Sequence, residues 1–150
     1  MSAPAAKRAT IDAGKAGKVS ALLNAPGNAS ACYVFAHGAG AGMSHKFMEA
    51  AAAGLAERGI ATLRYQFAYM EKGGKRPDPP ALAHAVVRAA VAYAAERLPG
   101  LPLIAGGKSF GGRMTSQAQA AEPLPGVRGL AFSAFRCTPQ ANPRQTGASI

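Results

Sequence analysis

The sequence predicts an α/β fold in which a mostly parallel sheet is flanked by helices. Two observations predict this fold class. Short apolar segments alternate along the chain with segments of helical periodicity, and turns rich in glycine or proline separate them. Such alternation is typical of parallel strands joined by helical crossovers, with helices on both faces of the sheet. The chain has 150 residues, enough for one domain with one hydrophobic core.

The N-terminal elements are predicted to be a hairpin followed by a buried strand. Thr10–Asp12 and Val19–Leu23 flank a stretch of glycine and lysine, a pattern typical of a hairpin at the edge of a sheet. Ala31–Ala36 is a continuous apolar run bounded by turn residues, which predicts a strand buried on both faces. Cys32 lies in this run, so we expect a small core residue rather than a ligand.

A helix is predicted after the first buried strand. Ser44 is its expected cap, and Gly59 its expected C-terminal stop. The helical spacing assigns four residues to its apolar face: Phe47, Met48, Ala51 and Leu55. Ile60–Tyr65 then reads as the next strand.

The rest of the pattern repeats helix and strand twice. Asp78 is predicted to cap a helix with Pro79 in its first position. A third buried strand is expected at Leu101–Ala105, a helix at Arg113–Ala121 and a fourth strand at Val127–Phe132. The apolar stripe of the helix after Asp78 is predicted to contain Leu82, Val86, Ala89, Ala90 and Tyr93.

The segment from Gly107 to Gly111 matches the pattern G-x-S-x-G, with Ser109 at its centre. An apolar strand precedes it and a helix follows it, which is the context of a nucleophile elbow. A serine on such a sharp turn exposes its hydroxyl, and the flanking glycines let strand and helix approach closely. We therefore predict Ser109 as a catalytic nucleophile. The alternative interpretation is a serine that only caps the following helix.

A second glycine-rich loop begins at His37, where the first buried strand ends. In a parallel sheet it lies at the same edge as Ser109, where chemistry collects. We predict an oxyanion hole formed by the backbone N–H of Phe110 and one N–H from Ala39 or Gly40. Gly38 is expected to support the loop, as is the imidazole of His37. Gly107 and Gly111 are expected to support the elbow.

Other binding sites are disfavoured by single residues. A phosphate-binding P-loop ending at Ser109 needs glycine at position 102, where Pro102 stands. A dinucleotide-binding loop starting at Gly38 needs glycine at position 43, where Met43 stands. The sequence has no HExxH motif and no clustered histidines and cysteines. We therefore expect neither a metal nor another cofactor.

The chain carries a formal charge of +10, from 17 Lys and Arg residues against 7 Asp and Glu. These cations are spread along the sequence without a run of five or six. We interpret the charge as reflecting a missing acidic portion, rather than a nucleic-acid partner. Neither an apolar stretch of membrane-spanning length nor a signal peptide is visible, so we expect no membrane partner and a cytoplasmic location.

The segments FAHGAGAGMSHKFMEAAAAGLAERGIATLRYQFAYM and GGKSFGGRM resemble the bacterial dienelactone-hydrolase-like α/β-hydrolases. The group most similar is related to the testis-expressed and NSL-complex hydrolase-like proteins, and the resemblance runs from about Val19 to Phe132. It implies a serine hydrolase of esters, lactones or thioesters, with Ser109 as nucleophile. Some members of the group are thought to be non-catalytic scaffolds, so an interaction protein is the alternative.

The chain departs from this resemblance after Ser109. An α/β-hydrolase orders its triad as serine, acid and histidine. Here Glu122 is the only acid after Ser109, and no histidine follows it. The resemblance therefore implies an incomplete α/β-hydrolase-type sheet whose C-terminal strands are missing. We expect this chain to be inactive alone, with an edge strand open to self-association.

The sequence after Phe132 suggests why. We predict that residues 1–132 are the N-terminal portion of the domain, and that residues 133–150 are a disordered tail unrelated to the family. High-GC codons can be chosen for the tail so that reading two bases later yields a family-like Leu-Gly-Val-Pro-Leu-His-Pro. This favours the hypothesis of a frameshift after Phe132. An intact reading frame in this part of the gene, without the family-like continuation in another frame, would contradict it.

Overall fold

The computed structural model describes residues 5–133, which form a six-stranded sheet with helices on both faces. The strands are β1 (Lys7–Asp12), β2 (Lys18–Asn24), β3 (Ala31–Ala36), β4 (Ile60–Tyr65), β5 (Leu103–Lys108) and β6 (Val127–Ser133). The helices are α1 (Lys46–Glu57), α2 (Ala68–Glu71), α3 (Pro80–Arg97) and α4 (Phe110–Ala121). A short 3-10 turn, Gly14–Ala16, joins β1 to β2.

The strands lie in the order β1-β2-β4-β3-β5-β6. β1 and β2 form the predicted antiparallel hairpin at one edge, and β2 pairs antiparallel with β4. The remaining pairs are parallel, with β3 between β4 and β5. The predicted fold class and mostly parallel sheet are therefore confirmed. The carboxyl ends of β3 and β5, which precede the two glycine-rich turns, are neighbours.

Side chains of β3 alternate between the two faces of the sheet. Cys32, Val34 and Ala36 join the large buried cluster that includes the inner face of α3. Phe35 faces the other way, where its ring packs edge-on against Phe47 of α1 with centroids 6.5 Å apart. Helix α1 therefore covers one face, and α3 and α4 cover the other.

Cys32 is a core residue, as the sequence predicted. Its side chain is fully buried, and burial raises the pKa of its thiol to about 12. A thiol that stays protonated is a poor nucleophile and a poor metal ligand. Cys32 therefore acts in packing.

Helix α1 differs from its predicted form at its start and on its buried face. Its N-cap is His45 and not Ser44, and the ring nitrogen Nδ1 accepts the N–H of Phe47 at 3.2 Å. Phe47 is 39% exposed, so the helix is rotated by about one residue from the expected stripe. Its buried residues are Met48, Ala52 and Ala56. The predicted stop is confirmed, because Gly59 has the left-handed φ of 79°.

Several other boundaries differ from the prediction. Asp78 is not the cap of α3, because its carboxylate accepts the N–H of Tyr69 at 3.0 Å and Pro79 holds the cap position. Strand β5 begins two residues later than expected and continues through Lys108. Helix α4 begins at Phe110, three residues before the predicted start. Gly106 and Gly107, which suggested a turn, lie within β5, and Gly111 and Gly112 lie within α4.

Within residues 5–133, the structure contains no helix that is both long and apolar enough to cross a membrane. The predicted tail lies outside the described residues, except for Ser133 at the end of β6.

Candidate active site

Ser109 is the single residue between β5 and α4. Its backbone has φ 54° and ψ −113°, and among residues 5–133 no other non-glycine residue has positive φ. Side chains rarely adopt this region, and such strain of about 1–3 kcal/mol persists only where the surrounding structure enforces it. The strain turns the chain sharply at Ser109, whose side chain is exposed.

The glycines flanking Ser109 lie against the end of β3. A Cβ on Gly107 would lie 2.5 Å from the carbonyl oxygen of Ala36. A Cβ on Gly111 would lie 2.6 Å from the Ala36 Cβ and still closer to the carbonyl oxygen of His37. Both positions therefore need glycine, because β3 and the start of the next loop occupy the space that a side chain would fill.

The predicted oxyanion loop is held on its inner side by His37. This imidazole is fully buried: Nε2 accepts the N–H of Phe67 at 3.0 Å, and Nδ1 lies 2.7 Å from the carbonyl oxygen of Gly38. Since Nε2 accepts, Nδ1 carries the proton and donates it to that carbonyl. Burial lowers the pKa of His37, outweighing the opposite effects of the Gly38 carbonyl and Asp78. The ring is therefore neutral near pH 7.

Further contacts from β4 and from the segment that follows it fix the rest of this loop. The hydroxyl of Tyr69 donates to the carbonyl oxygen of Ala39 at 2.8 Å. The backbone N–H of Met43 donates to Gln66 at 3.0 Å, and the guanidinium of Arg64 donates to the carbonyl oxygen of Met43 at 3.0 Å. The loop is thus held at both ends and in the middle before any ligand binds.

A pocket of about 450 Å³ opens between this loop, the start of α1 and Ser109. This volume is within the range typical of small-molecule sites. The pocket brings together Ser109, Gly38, Ala39 and Gly40 from the predicted site. Its lining residues are Gly38, Ala39, Gly40, Ala41, His45, Met48, Lys108 and Ser109.

Four of the predicted site residues lie outside the lining of this pocket: Gly107, Gly111, Phe110 and His37. The ring of Phe110 is buried, with edge-on contacts to Phe67 and Tyr69 at 5.2 and 6.1 Å. Its backbone N–H, however, is the first of α4 and has no intrahelical acceptor. The ring of His37 is enclosed beneath the loop.

Three lining residues were not predicted as site residues: His45, Met48 and Lys108. Lys108 could have been predicted from the elbow pattern, because it directly precedes the predicted nucleophile. His45 and Met48 carry no such signal in the sequence. Their place in the pocket depends on how the start of α1 packs beside the turn at Ser109, which follows a different strand, β5. Among residues 5–133, no three His, Cys, Asp or Glu side chains lie together as potential metal ligands.

Residues 29–148 match the alpha/beta hydrolase domain family, and the chain belongs to that family. No curated protein matches. The matched range extends into residues 133–150, which we predicted to be unrelated to the family. The described residues end at 133, and that assignment remains a prediction.

Solved structures with the same fold include several hydrolases. A dienelactone hydrolase from Anabaena variabilis is 22% identical, with a TM-score of 0.73 over 86% of this chain and 62% of that one. A serine hydrolase without a lid from Xanthomonas campestris is also 22% identical, with a TM-score of 0.65 over 78% of this chain and 56% of that one. The Est1E protein of Butyrivibrio proteoclasticus, with bound ferulic acid, is 26% identical, with a TM-score of 0.68 over 81% and 50%. The chain thus spans 50–62% of the length of these proteins.

Proposed function

We propose that the pocket at Ser109 is the nucleophile and oxyanion half of a serine hydrolase site for small esters, lactones or thioesters. The observation that carries this proposal is the strained backbone of Ser109 at a strand-to-helix turn, facing a glycine loop across a shared pocket. The strain holds a hydroxyl at the N-terminus of α4, where an oxyanion would be stabilised. A serine that only caps a helix does not need positive φ, and Ser109 makes no side-chain cap hydrogen bond.

In this proposal, the hydroxyl oxygen of Ser109 attacks the carbonyl carbon of the substrate. The carbonyl oxygen becomes an oxyanion held by the N–H groups of Phe110 and Gly40. Tyr69 supports the second donor, because its hydroxyl binds the carbonyl oxygen of Ala39. In a planar trans peptide the following N–H points the opposite way, so the Gly40 N–H faces away from Tyr69. Ala39 and Gly40 are both exposed, which leaves this face of the loop open to a ligand.

The reaction also needs a base to take the proton from Ser109, and none of the three histidines is suited to this. His37 is buried and both of its ring nitrogens are engaged. His45 lines the pocket, but Nδ1 accepts the Phe47 N–H, so the neutral ring carries its proton on Nε2. His84 bonds to Gln117 between α3 and α4. The base would have to come from outside residues 1–150, and these residues alone would be inactive.

A fluorophosphonate probe tests this proposal on the 150-residue chain. We expect slow labelling confined to Ser109, because an oxyanion hole without its base retains only about 10³–10⁴-fold acceleration over water. Peptide mass spectrometry would locate the adduct, and Ser109→Ala should abolish it. Ser116→Ala, which changes an exposed serine of α4, is the matched control and should leave labelling unchanged. Rapid labelling at pH 7 would contradict the missing base, and labelling elsewhere would contradict the nucleophile.

A non-catalytic role as an interaction protein is the second candidate, and the edge strand β6 favours it. Within residues 5–133, β6 pairs only with β5, and Phe132 on this strand is 53% exposed. An unpaired strand edge beside an exposed aromatic ring is a template for pairing with another chain. We expect light scattering to detect dimers or larger species that Phe132→Lys reduces. A monomer at about 100 μM would contradict this self-association.

A further inference from the structure

We infer that the outer face of helix α3 is an interface between two copies of this chain, in which the two α3 helices pack antiparallel about a two-fold axis at Ala92. No residue of α3 lines the Ser109 pocket, so the inference does not depend on the proposed reaction. The face also differs from the edge of β6, which is the surface of the self-association proposed above.

Helix α3 has no polar face. Only four of its 18 residues are polar or charged: His84, Arg88, Glu96 and Arg97. The side that packs on the sheet is buried, while Ala92 and Ala95 on the opposite side are exposed. A surface helix normally carries charged residues on its outer side, and a helix that is apolar all round is typical of one covered on both sides. We therefore expect a partner on the outer face of α3.

The outer face has the shape that helix packing requires. Arg88, Ala92 and Glu96 are spaced four residues apart, so they form a ridge along the helix. A groove of about 620 Å³ lies on one side of this ridge, toward the end of α4, and a groove of about 310 Å³ lies on the other side, toward the end of β1. Helices pack by placing ridges into such grooves, and a small residue at the centre allows a close approach. A second copy of α3 supplies the ridge.

The charges on this ridge are complementary to those of a second copy. In a two-fold interface centred on Ala92, a residue four positions before the centre meets the residue four positions after it in the other copy. Arg88 therefore meets Glu96 of the second copy, and the pair occurs twice. Within residues 5–133, the Glu96 carboxylate has no hydrogen bond or ion pair. Arg88 uses Nη2 to bind two carbonyl oxygens at the end of α4, which leaves its other N–H groups as donors.

The positions of the acidic residues favour a second copy at this face over any other. The formal charge of +10 makes most approaches between two copies repulsive. Three of the seven acidic residues line the two grooves beside α3: Asp12, Glu96 and Glu122. The cations of a second copy are therefore repelled least at the outer face of α3.

Sedimentation velocity on the Phe132→Lys variant tests the inference, because this substitution blocks the edge of β6. We expect a monomer–dimer equilibrium with a dissociation constant of about 100 μM or below. Ala92→Glu should raise this constant by about tenfold or more, because it places two carboxylates against each other at the axis. Ala53→Glu, at an exposed alanine of α1 on the other face of the sheet, is the matched control and should leave the dimer unchanged.

Glu96→Lys tests the charge pairing. It places a lysine opposite Arg88 in both pairs, so we expect the dissociation constant to rise by about tenfold. Glu57→Lys makes the same change of charge at an exposed position of α1. Its effect should be about twofold or less, because salt screens charges that lie outside the interface.

A cysteine at the axis tests the geometry without the Phe132 substitution. The chain has two cysteines, of which Cys32 is fully buried, so Cys137→Ser leaves no accessible thiol. In this background we expect Ala92→Cys to form a disulfide-linked dimer under mild oxidation, because a residue on the axis lies beside its own copy. Ala81→Cys, at an exposed position in the first turn of α3, should stay monomeric, because its two copies would be about 33 Å apart.

A monomer at about 300 μM, three times the expected dissociation constant, would overturn the inference, as would equal disulfide formation in Ala92→Cys and Ala81→Cys. A loss in Ala53→Glu as large as that in Ala92→Glu would also overturn it. Dimers that form only after removal of residues 134–150 would show that these residues, and not a second copy, cover α3 in the full chain. Each variant should keep the fluorophosphonate labelling of Ser109, so failure of the hydrolase proposal is distinguishable from failure of this one.

Discussion

Replacing Gly111 with alanine is expected to destabilise the protein by about 3 kcal/mol or more, at the upper end of overpacking effects. The new Cβ would lie 2.6 Å from the Cβ of Ala36 and 2.8 Å from its carbonyl carbon, where real contacts are essentially never below 3.0 Å. These atoms end the central strand β3, which pairs with β4 on one side and β5 on the other. They cannot move aside without disrupting that pairing. Urea unfolding followed by circular dichroism would measure the loss.

The control for this variant is Gly129→Ala in the adjacent strand β6. A Cβ there meets only the end of the Ile104 side chain, at the ordinary contact distance of 3.8 Å. We expect a change within about 1 kcal/mol, since alanine also reduces the entropy of the unfolded chain. If Gly111→Ala unfolded at the same urea concentration as the control, the close packing of the elbow against β3 would be wrong.

The strands that the sequence predicted best are those whose ends are marked by a change in composition. β3 and β4 have the predicted bounds, because each is an apolar run that follows turn residues. The end of β5 was missed for a physical reason. Gly106 and Gly107 resemble a turn in sequence, yet they are extended, because glycine lets the neighbouring backbone approach. The structure has the predicted strand-to-helix turn at Ser109, but the residues before it were assigned to the wrong element.

The pocket was harder to predict than the elbow. The elbow is local, since strand, serine and helix follow one another in a few residues. The pocket wall depends on helix α1, whose rotation about its axis decides which side chains face Ser109. Phe47, which was predicted to be buried, is 39% exposed, whereas His45 and Met48 line the pocket. Hydrophobic periodicity alone does not fix that rotation in a helix of small alanine side chains.

The free energy of unfolding is expected to fall as the pH is lowered below about 6.5, because of His37. The ordinary pKa of histidine, 6.5, applies to the unfolded chain, and burial lowers the pKa in the folded protein. Below 6.5 the unfolded chain therefore binds the proton that the folded protein resists. The contribution of His37 is complete above 6.5 and is lost progressively toward the folded pKa, by at most about 1.4 kcal/mol per pH unit.

Comparison with His37→Gln assigns this slope to one residue. Glutamine does not titrate, so its unfolding free energy should vary less between pH 7.5 and 5.5. At pH 7.5 we expect the variant to be about 2 kcal/mol less stable, because the buried Phe67 N–H loses a well-placed acceptor. The two curves should therefore converge as the pH falls. His84→Gln, at the histidine that bonds to Gln117, is the matched control and should keep the slope of the parent protein. An equal slope in His37→Gln would show that the titrating group lies elsewhere, and that the imidazole beneath the predicted oxyanion loop is not held neutral by its burial.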